Sequence, residues 1–224
     1  MNKWPNVLGE FETVKKITKG FSIARLGDGE FKVMEGASYS RMNFIPNPAL
    51  TEELKRVFKN PVPSCLIGIP TMDPKGNNYQ KWKRHKIRFG RWLDPMRQYY
   101  SALITRPGCG MEWMECQEYA NALRGIWAGK RIAIVCELYS KLFTELRNTD
   151  QNVQHIECPM YDAYNFIDDF EKEVVSLKPD IALLSLGVTA TVLAHRLAVH
   201  GIQAVDLGSI GALFQRWPLR TLHG

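Results

Sequence analysis

No stretch of this 224-residue sequence approaches about eighteen consecutive uncharged apolar residues, and no apolar run follows a basic start at the N-terminus. Neither a membrane span nor a signal peptide is therefore expected. The five cysteines, at 65, 109, 116, 136 and 158, form no close pair, which points to reduced thiols and a cytoplasmic protein. Cys109 and Cys116 have no second pair to complete a structural zinc site, and the five histidines show no short metal-ligand spacing. Three signatures are also missing: the phosphate loop ending in Gly-Lys-Ser/Thr, the G-x-G-x-x-G fingerprint after a strand, and the G-x-S-x-G nucleophile turn. No repeat or low-complexity linker divides the chain, so a single domain over residues 1–224 is expected.

What is present is a globular composition, 45% apolar and 23% charged, with a net charge of +6. Residues 81–91 contain Lys81, Lys83, Arg84, Lys86, Arg88 and Arg91 and no acid, so this one run equals the whole formal excess. Such a run suits a polyanion, nucleotide phosphates, an anionic membrane face, or simply a solvated helix face. No zinc finger, RNP motif or helix-turn-helix accompanies it, so no specific nucleic acid is expected as a partner.

Periodicity gives the frame. A short helix is expected over residues 11–19, a strand from residue 21 and a helix beginning near Phe31. Leu50, Leu54, Val57 and Phe58 predict a helix over 48–59. A buried strand follows at 65–69, then a polar loop at 71–78. The apolar stripe Trp82, Phe89, Leu93, Met96, Tyr100 and Leu103 predicts a long basic covering helix or flap over residues 79–104, with a turn at 105–108. From residue 119 the pattern alternates: helix 119–127, strand 131–136, helix 138–146, strand 153–158, helix 164–177, strand 181–186, helix 189–200 and strand 203–207. The expected fold is therefore α/β, a Rossmann-like, mostly parallel sheet with helices on both faces.

Candidate residues fall at the carboxyl ends of these strands, where open α/β sheets bind ligands. If the first strand stays extended through Gly29, its period of two puts the Asp28 and Glu30 carboxylates on one side, roughly 6–7 Å apart at the backbone. One divalent cation can bridge that gap, while Gly27 and Gly29 leave room for a ligand; a surface turn is the alternative reading. Glu137 follows strand 131–136. Gly187 and Thr189 open a helix after strand 181–186, where free N–H groups and a hydroxyl suit a diphosphate, or serve only as a helix cap. Asp206 closes the last strand at the same edge, which makes it a candidate catalytic base beside Asp28 and Glu30. Two hard carboxylates beside such a helix start suit Mg²⁺ or Mn²⁺ shared with a diphosphate.

The segments Ser22-Ile23-Ala24-Arg25 and Gly27-Asp28-Gly29-Glu30-Phe31 resemble the signature of the bacterial glycosyltransferases of the GT-D fold type, long known as a domain of unknown function. The resemblance continues in order through Ile104-Thr105-Arg106-Pro107, Val135-Cys136-Glu137-Leu138-Tyr139-Ser140-Lys141, Leu186-Gly187-Val188-Thr189-Ala190-Thr191 and Gly201 to Gly208. It implies transfer of a hexose, glucose in the characterised branch, from a UDP-sugar donor to a glycan or glycoprotein acceptor. Asp28 and Glu30 would hold the metal and donor, Arg25 and Arg106 would neutralise phosphate or hold the acids in place, and Thr189 would line the donor pocket. The basic run at 81–91 would support peripheral membrane association or shape the acceptor side. Three departures stand out: Val188 replaces a proline, Lys141 replaces an arginine, and Gly208-Ser209-Ile210-Gly211 replaces the family's Gly-His-x-Asp. The last change removes a ligand or acid–base pair, so a non-catalytic nucleotide- or polyanion-binding module derived from such an enzyme is the alternative function.

Overall fold

Strands and helices alternate because each strand has apolar residues on both sides and needs a helical layer on each. The structure, a computed structural model, describes residues 4–36, 47–72, 83, 89–106, 113–149, 152–208 and 210. Its strands are β1 (Val7–Leu8), β2 (Ser22–Arg25), β3 (Cys65–Ile69), β4 (Tyr99–Ser101), β5 (Ile132–Cys136), β6 (Val153–Glu157), β7 (Ile181–Ser185) and β8 (Ala204–Asp206). They form one sheet in the order β1-β4-β3-β2-β8-β7-β5-β6, every recorded pair parallel. β3 and β5 are buried along their whole length, as parallel strands covered on both faces must be. At the edge, β6 exposes Gln154 and Glu157 and buries Ile156.

Among the described residues seven α-helices cover the sheet: α1 (Glu10–Thr18), α2 (Asp28–Met34), α3 (Pro48–Lys59), α4 (Trp113–Arg124), α5 (Lys141–Arg147), α6 (Ile167–Leu177, led in by a 3₁₀ turn at Ala163–Phe166) and α7 (Val188–Val199). Successive strand residues alternate between two apolar layers. Ile132, Ile134 and Leu183 meet α1, α4 and α5, whereas Ala133, Val135 and Leu184 meet α2, α3, α6 and α7. The arrangement is thus the expected α/β domain, a Rossmann-like parallel sheet between two helical layers. α7 is buried nearly all round, because it lies on β2 and β8 beneath α3 and α6. Arg196 ties these covering helices together, pairing with Glu53 of α3 and with Asp168 (2.6 Å) and Glu171 (2.9 Å) of α6.

Two sequence expectations need correction. Residues 79–104 are not one helix: residues 91–97 form turns and residues 99–101 form β4, paired with β1 and β3. Met96, placed on the apolar stripe, is 91% exposed. Tyr99 and Ser101 are buried with Tyr100 half-buried between them, an alternation too short to compete with helical spacing until the neighbouring strand is known. Only Lys83 and residues 89–91 of the basic run 81–91 are among the described residues, so its proposed membrane or polyanion contacts lie largely outside them. Likewise, the helix expected over 164–177 is α-helical only from Ile167: Ala163–Phe166 form a 3₁₀ turn, and Phe166 is 47% exposed. Among the described residues no helix is long and apolar enough to cross a membrane, and Cys65, Cys136 and Cys158 are free and buried.

Candidate active site

β2 delivers Arg25 and Leu26 to the carboxyl edge of the sheet, and there the backbone turns. The segment does not stay extended through Gly29, as the period-of-two reading required. Gly27 is the N-cap of α2, and Asp28 and Glu30 occupy its first and third positions. Residues two apart on a helix do not face one another. Glu30 folds back, its Oε2 accepting the Gly27 N–H at 2.6 Å, and Asp28 lies 3.9 Å from Lys32 one turn on. The helix start was legible in the spacing: a cap residue followed three positions later by glutamate is half of a capping box. Phe31 then anchors α2 by stacking on Phe89 with centroids 4.6 Å apart and by meeting Phe58 at 6.1 Å.

Glu30 sits in an unusual field. Burial, and then the nearby Asp206 charge, push its carboxyl up to about 7, against the pull of the Gly27 N–H and of Arg25. Asp206 is 4% exposed at the end of β8, and its oxygens take four contacts. They accept from the Arg25 backbone N–H (3.3 Å), Arg25 Nη2 (3.4 Å), the Thr191 hydroxyl (3.3 Å) and the Gly208 N–H (3.0 Å). Burial raises the pKa of Asp206 while Arg25 and these N–H groups oppose the rise. The Arg25 guanidinium also donates from Nη1 to the Ala102 carbonyl (2.9 Å) and Thr105 Oγ1 (3.0 Å). Arg25, expected to neutralise phosphate or to hold the Asp28 and Glu30 pair in place, forms its ion pair with Asp206 instead.

Gly208 has φ +49, and a Cβ there would collide with the Arg25 guanidinium. Gly208→Ala is therefore expected to destabilise the fold by about 2 kcal/mol or more, as backbone strain adds to a broken ion pair. Chemical denaturation with an unchanged m-value checks this.

The second group of candidates meets across a crevice. From β5 the chain crosses outward to β6, and from β7 it crosses the other way to β8. Because β5 and β7 are neighbours, a gap opens between their carboxyl ends where the connections diverge. A cleft enclosing about 540 Å³, its open mouth included, occupies this place. It is lined by Leu186, Gly187, Val188 and Thr189 at the start of α7, by Val33 of α2, by Glu137 after β5, and by Pro159, Met160 and Asp162 after β6. Gly187 makes the turn into α7 with φ +61 and ψ −142, a conformation that favours glycine, and no side chain caps the helix.

The structure thus brings together Arg25, Glu30 and Asp206 in one cluster, and Glu137, Gly187 and Thr189 in one cleft, with α2 contributing to both. Arg106 is exposed beyond Thr105, its backbone N–H donating to the Leu103 carbonyl at 2.7 Å. Ser209 and Gly211 lie outside the described residues, so the altered Gly-His-x-Asp segment has no structural account beyond Gly208 and Ile210. Thr191 and Thr105 are supporting residues that sequence reasoning assigned no role; only their places, two after Thr189 and next to Arg106, marked them. Among the described residues no group of three or more His, Cys, Asp or Glu is placed to hold a metal by itself.

Comparison with known proteins gives concordant results. A probable glycosyl transferase of Streptococcus gordonii is 26% identical, the match covering 92% of this chain and 32% of that protein. The glycosyltransferase GlyD of Streptococcus pneumoniae serotype 4 is 24% identical over 87% of this chain and 25% of its own length. The chain therefore spans a third or less of these curated relatives. A solved structure of domain of unknown function 1792, described as having a distinct glycosyltransferase fold, superposes with a TM-score of 0.83 at 25% identity, covering 95% of this chain and 81% of that one. A structure described as a new glycosyltransferase from Streptococcus sanguinis shares the fold, with a TM-score of 0.83 at 22% identity over 98% of this chain and 87% of that one. The family model for the GT-D glycosyltransferase fold matches residues 23–221, and this chain belongs to that family.

Proposed function

We propose that the domain transfers a hexose, glucose being the first candidate, from a UDP-sugar to a glycan or glycoprotein acceptor, with Mn²⁺ or Mg²⁺ on the donor diphosphate. The observation that carries this reading is the cleft at the switch point, bounded by the uncapped start of α7 and flanked by α2, in a chain of a glycosyltransferase family. The N–H groups and dipole at the start of α7 suit the diphosphate, with Thr189 offering a hydroxyl from the same helix start.

The donor set fits a metal held jointly with a diphosphate. Mg²⁺ and Mn²⁺ commonly take one or two carboxylates and fill their remaining positions with phosphate oxygens and water. Asp28 and Glu30 supply two carboxylates on the first turn of α2, though not on one side of it; burial first and the Asp206 charge second raise Glu30, and a cation nearby would favour its ionised form. When bound, the ion masks diphosphate charge and stabilises the departing UDP as the bond to the anomeric carbon breaks. Arg25 and Asp206 act on Glu30 through their charges, and their mutual contacts, which join β2 to β8, hold those charges in place. Glu137 lines the same cleft from the turn after β5, where a carboxylate can bind sugar hydroxyls or, in an inverting transfer, take the acceptor hydroxyl proton.

Calorimetric titration with UDP and UDP-glucose, with and without Mn²⁺, tests the reading. Metal-dependent binding is expected, weakened by about tenfold or more in Asp28→Asn with an unchanged melting temperature. Equal affinity in wild type and variant would remove Asp28 from the donor site, and no nucleotide binding at all would favour the non-catalytic alternative.

A further inference from the structure

Seven large apolar side chains are prominently exposed among the described residues, and four of them, Leu138, Tyr139, Met160 and Tyr161, lie in only two loops. These loops leave β5 and β6, which pair in parallel from Ile132 opposite Val153 to Cys136 opposite Glu157. The Cys158 N–H still donates to the Cys136 carbonyl at 3.1 Å, so the two loops start side by side. Both also enter the cleft, through Glu137 on one and Met160 and Asp162 on the other.

Neither loop is free to fold its apolar residues inward. The Ser140 N–H donates to the Glu137 carbonyl at 3.0 Å, closing a four-residue turn with Leu138 and Tyr139 at its two corners. Ser140 then caps α5, its hydroxyl accepting the Leu142 N–H at 3.2 Å, and Tyr139 is left 90% exposed. On the other loop, Asp162 is held at φ +52, and its carbonyl accepts the Asn165 N–H at 3.0 Å, while Met160 and Tyr161 stay 64% and 49% exposed. Held apolar surface at the mouth of a cleft is the signature of a binding site.

We propose that this rim is the acceptor subsite, and that it takes a carbohydrate chain by its pyranose rings, with Tyr139 and Tyr161 as the platforms. The proposal rests on the transferase reading of the same cleft. A pyranose presents a C–H face to an aromatic ring and hydroxyls at its edge, and this rim alternates aromatic faces with the Glu137 and Asp162 carboxylates that accept from such hydroxyls. The rim residues come from the loops after β5 and β6, whereas the helix start suited to a diphosphate follows β7, so donor and acceptor are assigned to different elements around one cleft. Tyrosine suits this duty because it offers a large rigid face and loses few rotamers on binding.

The test uses the full chain and two probes, cellobiose and maltose, followed by saturation-transfer NMR, beside UDP titration in the presence of Mn²⁺. Wild type is expected to transfer saturation to the ring C–H protons of at least one disaccharide. Tyr139→Ala/Tyr161→Ala should lower that affinity by about tenfold or more with UDP affinity and melting temperature unchanged. Tyr139→Phe/Tyr161→Phe keeps the ring faces and should retain the signal. The proposal is overturned by an absent sugar signal in wild type, by a signal that survives the double alanine change, or by lost UDP affinity in that variant, which would assign the rings to the nucleotide base. Failure of the transferase reading is separately visible, as absent UDP binding in wild type.

Discussion

Glu30→Gln is expected to lower glycosyl transfer by roughly 100-fold or more while making the metal-free protein more stable at neutral and alkaline pH. The two effects have one origin. The Glu30 carboxyl titrates near 7 in the folded protein, against 4.5 for an ordinary glutamate, because burial and the Asp206 charge disfavour its ionised form. Between these values the folded state keeps a proton that the unfolded state has released. Stability contributed by this group is therefore fully present below about 4.5 and is lost as pH rises to about 7. Glutamine has no such titration and can still accept the Gly27 N–H, so the downward slope of melting temperature with pH should flatten in the variant. The functional loss follows from the other side of the same balance, since an ionised Glu30 is worth its cost only when a cation answers it. Melting curves from pH 4 to 8.5, together with a UDP-release assay, check both parts. Parallel pH slopes for wild type and variant, or undiminished transfer, would reject this account.

Asp206→Ala is expected to cost about 3–5 kcal/mol, because it removes one partner of a buried ion pair and leaves the other without a counter-charge. The Arg25 side chain is only 11% exposed, and its remaining contacts, the Ala102 carbonyl and Thr105 hydroxyl, are neutral. The Gly208 N–H and the Thr191 hydroxyl lose an acceptor in the same change. For a chain of this length the melting temperature should fall by roughly 10 °C. Arg25→Met combined with Asp206→Leu should recover much of the stability, since removing both charges avoids the uncompensated one. It should not recover transfer, because the charges that act on the Glu30 carboxyl are gone. A loss below about 1 kcal/mol for Asp206→Ala would show that water reaches the pair and that the cluster does not hold β2 to β8.

How far the site could be read in advance differs from residue to residue. Asp28, Glu30, Glu137, Gly187, Thr189 and Asp206 were all visible as polar or glycine residues just past apolar runs. The geometry among them was not. The period-of-two argument failed at Gly27 because helix initiation, with Phe31, Val33 and Met34 all buried, outweighed continuation of a four-residue strand. Leu138 and Tyr139, assigned to a helix over 138–146, proved to be turn corners ahead of the Ser140 cap, and that displacement exposes them on the rim.

The sequence by itself determined the alternation of buried strands with amphipathic helices, and with it the parallel α/β class. It also determined the helix at Pro48–Lys59, whose apolar residues recur at 3.6-residue spacing, and the strands β3, β5 and β7, whose apolar runs are too short for helices. Local periodicity suffices there because it records which faces of an element must leave water. Only the tertiary structure decided the strand order, hence the switch point between β5 and β7, and the short strands β1 and β4, which exist only through pairing. It also decided that Arg25 meets Asp206 across 181 positions of chain and that Glu30 lies in the field of that pair. Those outcomes depend on contacts between segments far apart in sequence, whose pairing no local pattern encodes.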